Sequence, residues 1–278
     1  MAPVAEIAAL GAAMCVALSN IIATPATRHF GPFAFNRWRL LAALAILVVV
    51  ATLRSGFTDA LAGKTAVLGL SAVVGIVIGD TAIYAAMARI GPRRTALLYA
   101  TYAPISALLS AIVLGERLDR VTVAGIALVF SGVWLAIYYR HVSQVDASEE
   151  VRGNYAAGIG FGLLGALGAA GAALILQPVM AAGADASAAA CIRIGIALPA
   201  LYGLAVLPNF RSPRSPTLPM LAIAALAGAL GMGGGMTLLL FALSNGSVGT
   251  TTALASTTPI MLLPLLWLVS GVRPDWRA

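Results

Sequence analysis

The chain alternates long apolar stretches with short polar connectors. Runs with few or no charges cover residues 7–27, 32–53, 65–88, 95–115 and 121–139, then 155–179, 187–207, 219–243 and 249–270. Each approaches the roughly 20 apolar residues that a helix needs to cross a bilayer. Period-two alternation is absent, which argues against a β-barrel. The pattern predicts an all-α membrane protein with nine transmembrane helices. The second run reaches full length only if Arg37 and Arg39 fall within its first turns, and Arg193 lies inside the seventh. The last two runs form one uncharged stretch divided at Asn245-Gly246-Ser247, a turn signal. No basic leader precedes the first run, so it reads as a retained helix rather than a cleaved signal.

The polar segment RHVSQVDASEEVR interrupts the series. It predicts a first unit of five helices over residues 1–140, a connector over 141–153, and a second unit over 154–278 with four helices visible. The connector is too short to isolate two independent bodies. The two units also share an ordered set of residues. At an offset of 155 positions Gly79, Gly91, Thr95 and Pro104 meet Gly234, Gly246, Thr250 and Pro259. At 156, Arg37 meets Arg193, and Gly115, Arg117 and Asp119 meet Gly271, Arg273 and Asp275. An odd number of spans per unit turns the second copy upside down, and inverted repeats of this kind place a substrate site near the bilayer midplane between them. The first unit continues from GERLDR into a fifth helix. A tenth helix is therefore expected after GVRPDW, and the expectation is that the chain is truncated or that a partner supplies this helix.

Composition agrees with the patterning. Of 278 residues, 60% are hydrophobic and 10% charged, with a mean hydropathy of +0.96; a soluble domain carries roughly 25% charged residues. The net charge of +7 comes from basic residues scattered in connectors, with no basic face to track phosphates, so nucleic acid is not an expected partner. Odd-numbered connectors and the tail hold twelve arginines, whereas even ones hold only Arg54, Lys64, Arg117 and Arg120. Basic residues accumulate on the cytoplasmic side, which predicts an N-terminus outside. Cys15 and Cys191 lie in apolar runs and read as core residues; His29 and His141 lie in connectors. No metal-ligand spacing, nucleotide loop or cofactor motif is present. The aromatic belt at helix ends accounts for Trp38 and Trp267.

These features resemble the drug/metabolite transporter superfamily, in its two-repeat, ten-helix EamA-type branch. The resemblance rests on an arginine early in the second helix of each repeat (Arg37, Arg193), an alanine- and threonine-rich fourth helix with a proline (Pro104, Pro259), and the turn Gly115-Glu116-Arg117. It covers essentially the whole chain and is specific for the superfamily rather than the substrate. It implies export of metabolites or amino acids, and members include aromatic amino-acid exporters. A bacterial inner membrane is the implied location. The absent tenth helix departs from the pattern.

Asp80 sits alone in GIVIGDTAIYAAM, the one charge between Lys64 and Arg89. A charge at mid-bilayer costs about 2.5–3.5 kcal/mol on insertion scales, so it faces the bundle interior or water and takes a partner. Arg37 enters from the same side, which makes an Asp80–Arg37 pair geometrically feasible; a structural ion pair and a substrate-binding carboxylate are equally open readings. Tyr84, one turn on, shares its face. Tyr99, Tyr102 and Ser106 form one stripe in the fourth helix. In the ninth, Thr250, Thr251, Thr257 and Thr258 surround Pro259. Pro104 and Pro259 are expected to mark equivalent bends, since a proline frees a carbonyl that must then find another donor or line a cavity. Pro25 with Asn20, and Pro178 with Gln177, suggest comparable breaks. The glycines from Gly158 to Gly171 predict close helix packing. GMGGGM, containing Gly234, suggests a flexing point walled by Met232 and Met236.

The expected cavity residues are Asp80, Tyr84, Tyr99, Tyr102, Asn20, Met236 and Thr258. Arg37, Arg193, Pro104, Pro259 and Gly234 are expected to serve structure or gating. The function this favours is a secondary transporter exporting amino acids or similar small metabolites by alternating access, driven by no ATP through this chain. A nucleotide-sugar or phosphorylated-metabolite carrier, and a non-transporting membrane scaffold or receptor, are the alternatives. Enzymatic activity is not expected. An intramembrane aspartyl protease needs two carboxylates sharing a proton, and position 77 is Val, with no second acid inside a span. The expected partners are a small-molecule substrate and the lipid bilayer.

Overall fold

The structure is a computed structural model and describes residues 2–57, 63–115, 120–138, 154–258 and 260–262, with Leu265. Among the described residues every regular element is a helix. In chain order these are α1 (Ala2–Phe30), α2 (Pro32–Leu53), α3 (Thr65–Ile90), α4 (Pro92–Tyr99 and Tyr102–Leu114), α5 (Arg120–Tyr138), α6 (Tyr155–Ala181), α7 (Ala186–Leu204), α8 (Leu218–Asn245) and α9 (Val248–Ala255). Seven of them, α1 to α4 and α6 to α8, are long and apolar enough to cross a membrane. The apolar part of α5 is shorter, Val123–Leu135, and α9 has eight residues. The described residues thus supply seven spans by this measure rather than nine. Glu116, Arg117, Asp119, His141, Pro259, Trp267, Gly271, Arg273 and Asp275 lie outside them.

Two tight junctions have one recipe. Gly31 closes α1 at φ 76° and Gly91 closes α3 at φ 83°, a left-handed conformation that disfavours residues bearing Cβ. Pro32 and Pro92 then open α2 and α4, where a missing N–H costs nothing. The next span thereby starts one residue after the last has ended. Elsewhere side chains cap the starts. Asn154 accepts from the N–H of Ala157, Asp185 from Ala188 and Ser247 from Thr250.

The helices pack in a pattern that survives exchanging α1–α4 for α6–α9. Helix α1 packs on α8 and α9, and α6 on α3 and α4. Helix α2 packs on α8, and α7 on α3. The pairs α2·α7 and α4·α9 map onto themselves. Both α3 and α8 widen into π-helix in the middle, over Val73–Asp80 and Ala229–Gly235. A π turn carries one extra residue per turn and recurs at functional sites.

Between apolar helices in lipid, close backbone approach replaces the hydrophobic effect as the main adhesive. The glycines of α6 supply it. A methyl group built on Gly168 would lie 2.8 Å from Gly79 Cα and from Val74 O, and one on Gly165 would run into the Ile83 side chain. Leu40, Leu47, Leu68, Ile76, Leu176 and Ile194 fill the core around that contact. Large apolar side chains on the outer faces, such as Leu53, Ile112 and Leu128, are exposed, as a lipid-facing surface requires.

The proline expectations are corrected in part. Helices α1 and α6 run unbroken through Pro25 and Pro178. The fourth span does break, at Ala100-Thr101, one turn before Pro104, the place where a missing proline N–H leaves a carbonyl unpaired.

Candidate functional site

A partly enclosed cavity of about 90 Å³ opens between the two sets of helices. Ligand pockets usually measure about 300–1,000 Å³, so the hollow is smaller than a typical pocket for a drug-sized ligand. Helix α1 contributes Ser19 and Asn20, α2 Arg39, α3 Asp80, Ile83 and Tyr84, and α4 Thr95, Tyr99 and Tyr102. Gly231, Met232 and Met236 come from α8, Ala255 from α9, and Thr258 from just beyond it. Asp80, Tyr84, Tyr99, Tyr102, Asn20, Met236 and Thr258 therefore share one wall system. Arg37, Arg193, Pro104 and Gly234 do not line it. Gly234 lies instead against Cys15, 3.5 Å from where its Cβ would be.

At the centre Arg39 Nη2 donates to Asp80 Oδ2 at 2.6 Å. The arginine side chain is 3% exposed and the aspartate 28%. Arg39 Nε donates to Asn36 Oδ1 at 2.9 Å, and Asn36 Nδ2 donates to Thr81 Oγ1 at 2.9 Å. The guanidinium also lies 4.7 Å from the Tyr84 ring centroid, within cation–π range. Phe35 meets that ring edge-on. A guanidinium so held is fixed by an acid, an amide and a ring face. The rings of Tyr99 and Tyr102 stack at 5.5 Å and 11° across the break in α4.

The predicted Asp80–Arg37 pair is not formed. Arg37 instead donates to the carbonyls of Leu201 and Phe210, at 3.3 and 3.1 Å, near the far end of α7. Positions 37 and 39 differ by two residues, about 200° around a helix, so only one can face the bundle centre. Asn36 and Arg39, at i and i+3, share a face, and that spacing was the available signal for Arg39. Ser19 also escaped the sequence reading. Its hydroxyl donates to Ala227 O at 2.8 Å, holding α1 against α8.

Arg193 is 2% exposed. Its Nη1 lies 3.0 Å from the Met236 sulfur and its Nη2 donates to Ser71 O at 3.4 Å. No group of three or more His, Cys, Asp or Glu able to hold a metal occurs among the described residues.

A bundle of membrane-length apolar helices with a partly enclosed hollow between them is the architecture of a membrane protein with room for a small solute. The sequence matches the EamA-like transporter family over residues 3–138 and again over 156–278, and the chain belongs to that family. It is also similar to a solved structure titled "Crystal structure of protein", at 17% identity and a TM-score of 0.74, covering 99% of this chain and 91% of the other. That likeness is one of fold. A search of curated proteins finds no match.

Proposed function

We propose that the protein is a secondary transporter that exports amino acids or similar small metabolites by alternating access. The carrying observation is the Arg39–Asp80 pair in a hollow walled by α1 to α4 together with α8, α9 and Thr258. A buried ion pair left partly open to a cavity gives an otherwise largely apolar wall a polar centre for a solute to meet. The apolar remainder of the wall suits a solute with an apolar body. In this reading the chain has two units in opposite orientation, residues 1–140 with five helices and residues 154–278 with four, nine spans in all, and the N-terminus lies outside a bacterial inner membrane. The π-helical stretches of α3 and α8 act as the flexing points about which the units rock. The seven cavity residues named above contact the solute, and Pro104, Pro259, Gly234 and the outer arginine Arg37 serve structure and gating.

The second guanidinium, Arg193, favours one other reading within transporters, a carrier of phosphorylated metabolites. Arg39 is already neutralised by Asp80, which leaves one cation where a phosphate dianion calls for two. The test of the main reading is uptake of radiolabelled solutes into proteoliposomes, with aliphatic and aromatic amino acids and short organic acids in the panel. Saturable flux that Asp80→Asn abolishes supports it. Absence of saturable flux for every solute tried removes it.

A further inference from the structure

The two guanidiniums that flank the cavity are not equivalently paired. Arg39 has a carboxylate, an amide oxygen and a ring face. Arg193 has a thioether and one long bond to a carbonyl, and its buried Nε has no hydrogen-bond partner. The surrounding contacts are reciprocal. Arg39 lies against Gly231 in the π segment of α8 and reaches Asp80, the last residue of the π segment of α3. Arg193 lies against Gly75 in the π segment of α3 and reaches Met236, the residue after the π segment of α8. By contact, then, Met236 stands to Arg193 as Asp80 stands to Arg39, although the offset that pairs Gly79 with Gly234 sets Asp80 opposite Gly235. Where Arg39 meets a carboxylate, Arg193 meets a sulfur, which is a weak acceptor and carries no charge.

A buried guanidinium keeps its proton and has to be paired. Asp80 is within the electrostatic reach of both Arg39 and Arg193, and one carboxylate neutralises one of them. The other buried arginine among the described residues, Arg37, is held by carbonyls elsewhere. The cavity region is left with one positive charge in excess. Met236 lines the cavity, so Arg193 stands one unbranched, three-torsion side chain behind the wall.

We propose that the cavity binds a monoanionic solute, a carboxylate on an apolar body, whose carboxylate takes the place of the Met236 sulfur on Arg193 while the Arg39–Asp80 pair stays closed. Met236 swings aside to admit it. A zwitterion is the poorer ligand, because its ammonium group needs Asp80 and would strip Arg39 of its counter-charge. A phosphate dianion is also poorer, since it exceeds the single free charge. This rests on the transporter reading and, within it, sets monoanionic carboxylates in place of zwitterionic amino acids as the substrate class.

The test is ligand binding to the detergent-solubilised protein at pH 7, read as the shift in thermal midpoint with concentration. Four probes share one skeleton: 4-methylpentanoate, 4-methylpentanamide, leucine and leucinamide. The carboxylate is expected to bind about tenfold or more tightly than the amide and leucine, the margin of one charge-assisted hydrogen bond. Arg193→Met removes this margin. Met236→Glu, which keeps Arg193 and supplies an internal carboxylate, removes it as well while raising the ligand-free midpoint. Equal binding of carboxylate and amide, tightest binding of leucinamide or leucine, or undiminished carboxylate binding by Met236→Glu overturns the proposal. Any of these results with saturable flux of some solute leaves the transporter reading standing; no flux at all removes both.

Discussion

Arg39 donates to Asp80 across 2.6 Å, tying α2 to the last residue of the π-helical stretch of α3. The acid that opens a gap in the hydropathy of the third span is thereby answered by an arginine that opens one in the second. Removing one partner strands the other in a low-dielectric interior. Asp80→Asn is expected to destabilise the fold by roughly 3 kcal/mol, the low end for breaking a buried pair, because Asp80 keeps part of its exposure. Asp80→Leu with Arg39→Met recovers much of the loss. Thermal midpoints of Asp80→Leu, Arg39→Met and the double variant form the check, and additive losses in the double variant would mean that the two residues do not act as a pair.

The face of Tyr84, rather than its hydroxyl, meets Arg39. Tyr84→Phe is therefore expected to keep the wild-type thermal midpoint, whereas Tyr84→Leu loses about 1–2 kcal/mol of cation–π and edge-on contact. Equal losses in both variants would assign the role to the hydroxyl.

Close packing of α6 on α3 depends on the absence of a side chain at Gly168. Gly168→Ala puts a methyl 2.8 Å from the Gly79 backbone, and an overpacked contact of this kind costs about 1–3 kcal/mol. Gly160→Ala meets nothing within 4 Å; it is neutral or gains up to about 1 kcal/mol from helix propensity. The comparison isolates packing from backbone entropy, and equal effects at the two sites would refute the close approach.

Asp185 lies between α6 and α7, outside the spans, and caps α7. Burial works to raise its pKa, but the Ser187 hydroxyl, the Ala188 N–H and the Arg54 charge outweigh burial and hold it below the ordinary carboxylate value. A carboxylate whose folded pKa is depressed stabilises the fold above its unfolded pKa, about 3.9, and that contribution is lost as pH falls through the folded value. The midpoint gap between the wild type and Asp185→Asn should be full at pH 6 and close as the pH drops below about 3.9. A gap independent of pH would show that the charge of Asp185 contributes nothing.

Much of this was legible from hydropathy alone. Seven of the nine expected spans, the turn at Asn245-Gly246-Ser247, the Gly-rich face of α6 and the isolation of Asp80 each follow from local patterns. The partner of Asp80 was not legible, because Arg37 and Arg39 both fall in the first turns of α2 and enter from the same side. A two-residue shift in register is small in sequence and about 200° around a helix. The π-helical stretches were likewise hidden. The glycines of GMGGGM hinted at one, but VVGIVIGD reads as an ordinary apolar run. Widening there depends on how α6 and α7 pack against α3, a tertiary matter. The prolines behave differently from one another: α1 and α6 continue through Pro25 and Pro178, five and three residues before their ends, whereas the fourth span breaks before Pro104.

The central claim is that the hollow around Arg39 and Asp80 is a solute pathway reached in turn from both faces of the membrane. The direct measurement is labelling of Asn20→Cys, in a chain with Cys15 and Cys191 replaced by alanine, using a membrane-impermeant thiol reagent applied to sealed vesicles of each orientation. The account predicts labelling from both sides, slowed on one side when a transported solute is present. Labelling from neither side, or from one side alone under every condition, would contradict it.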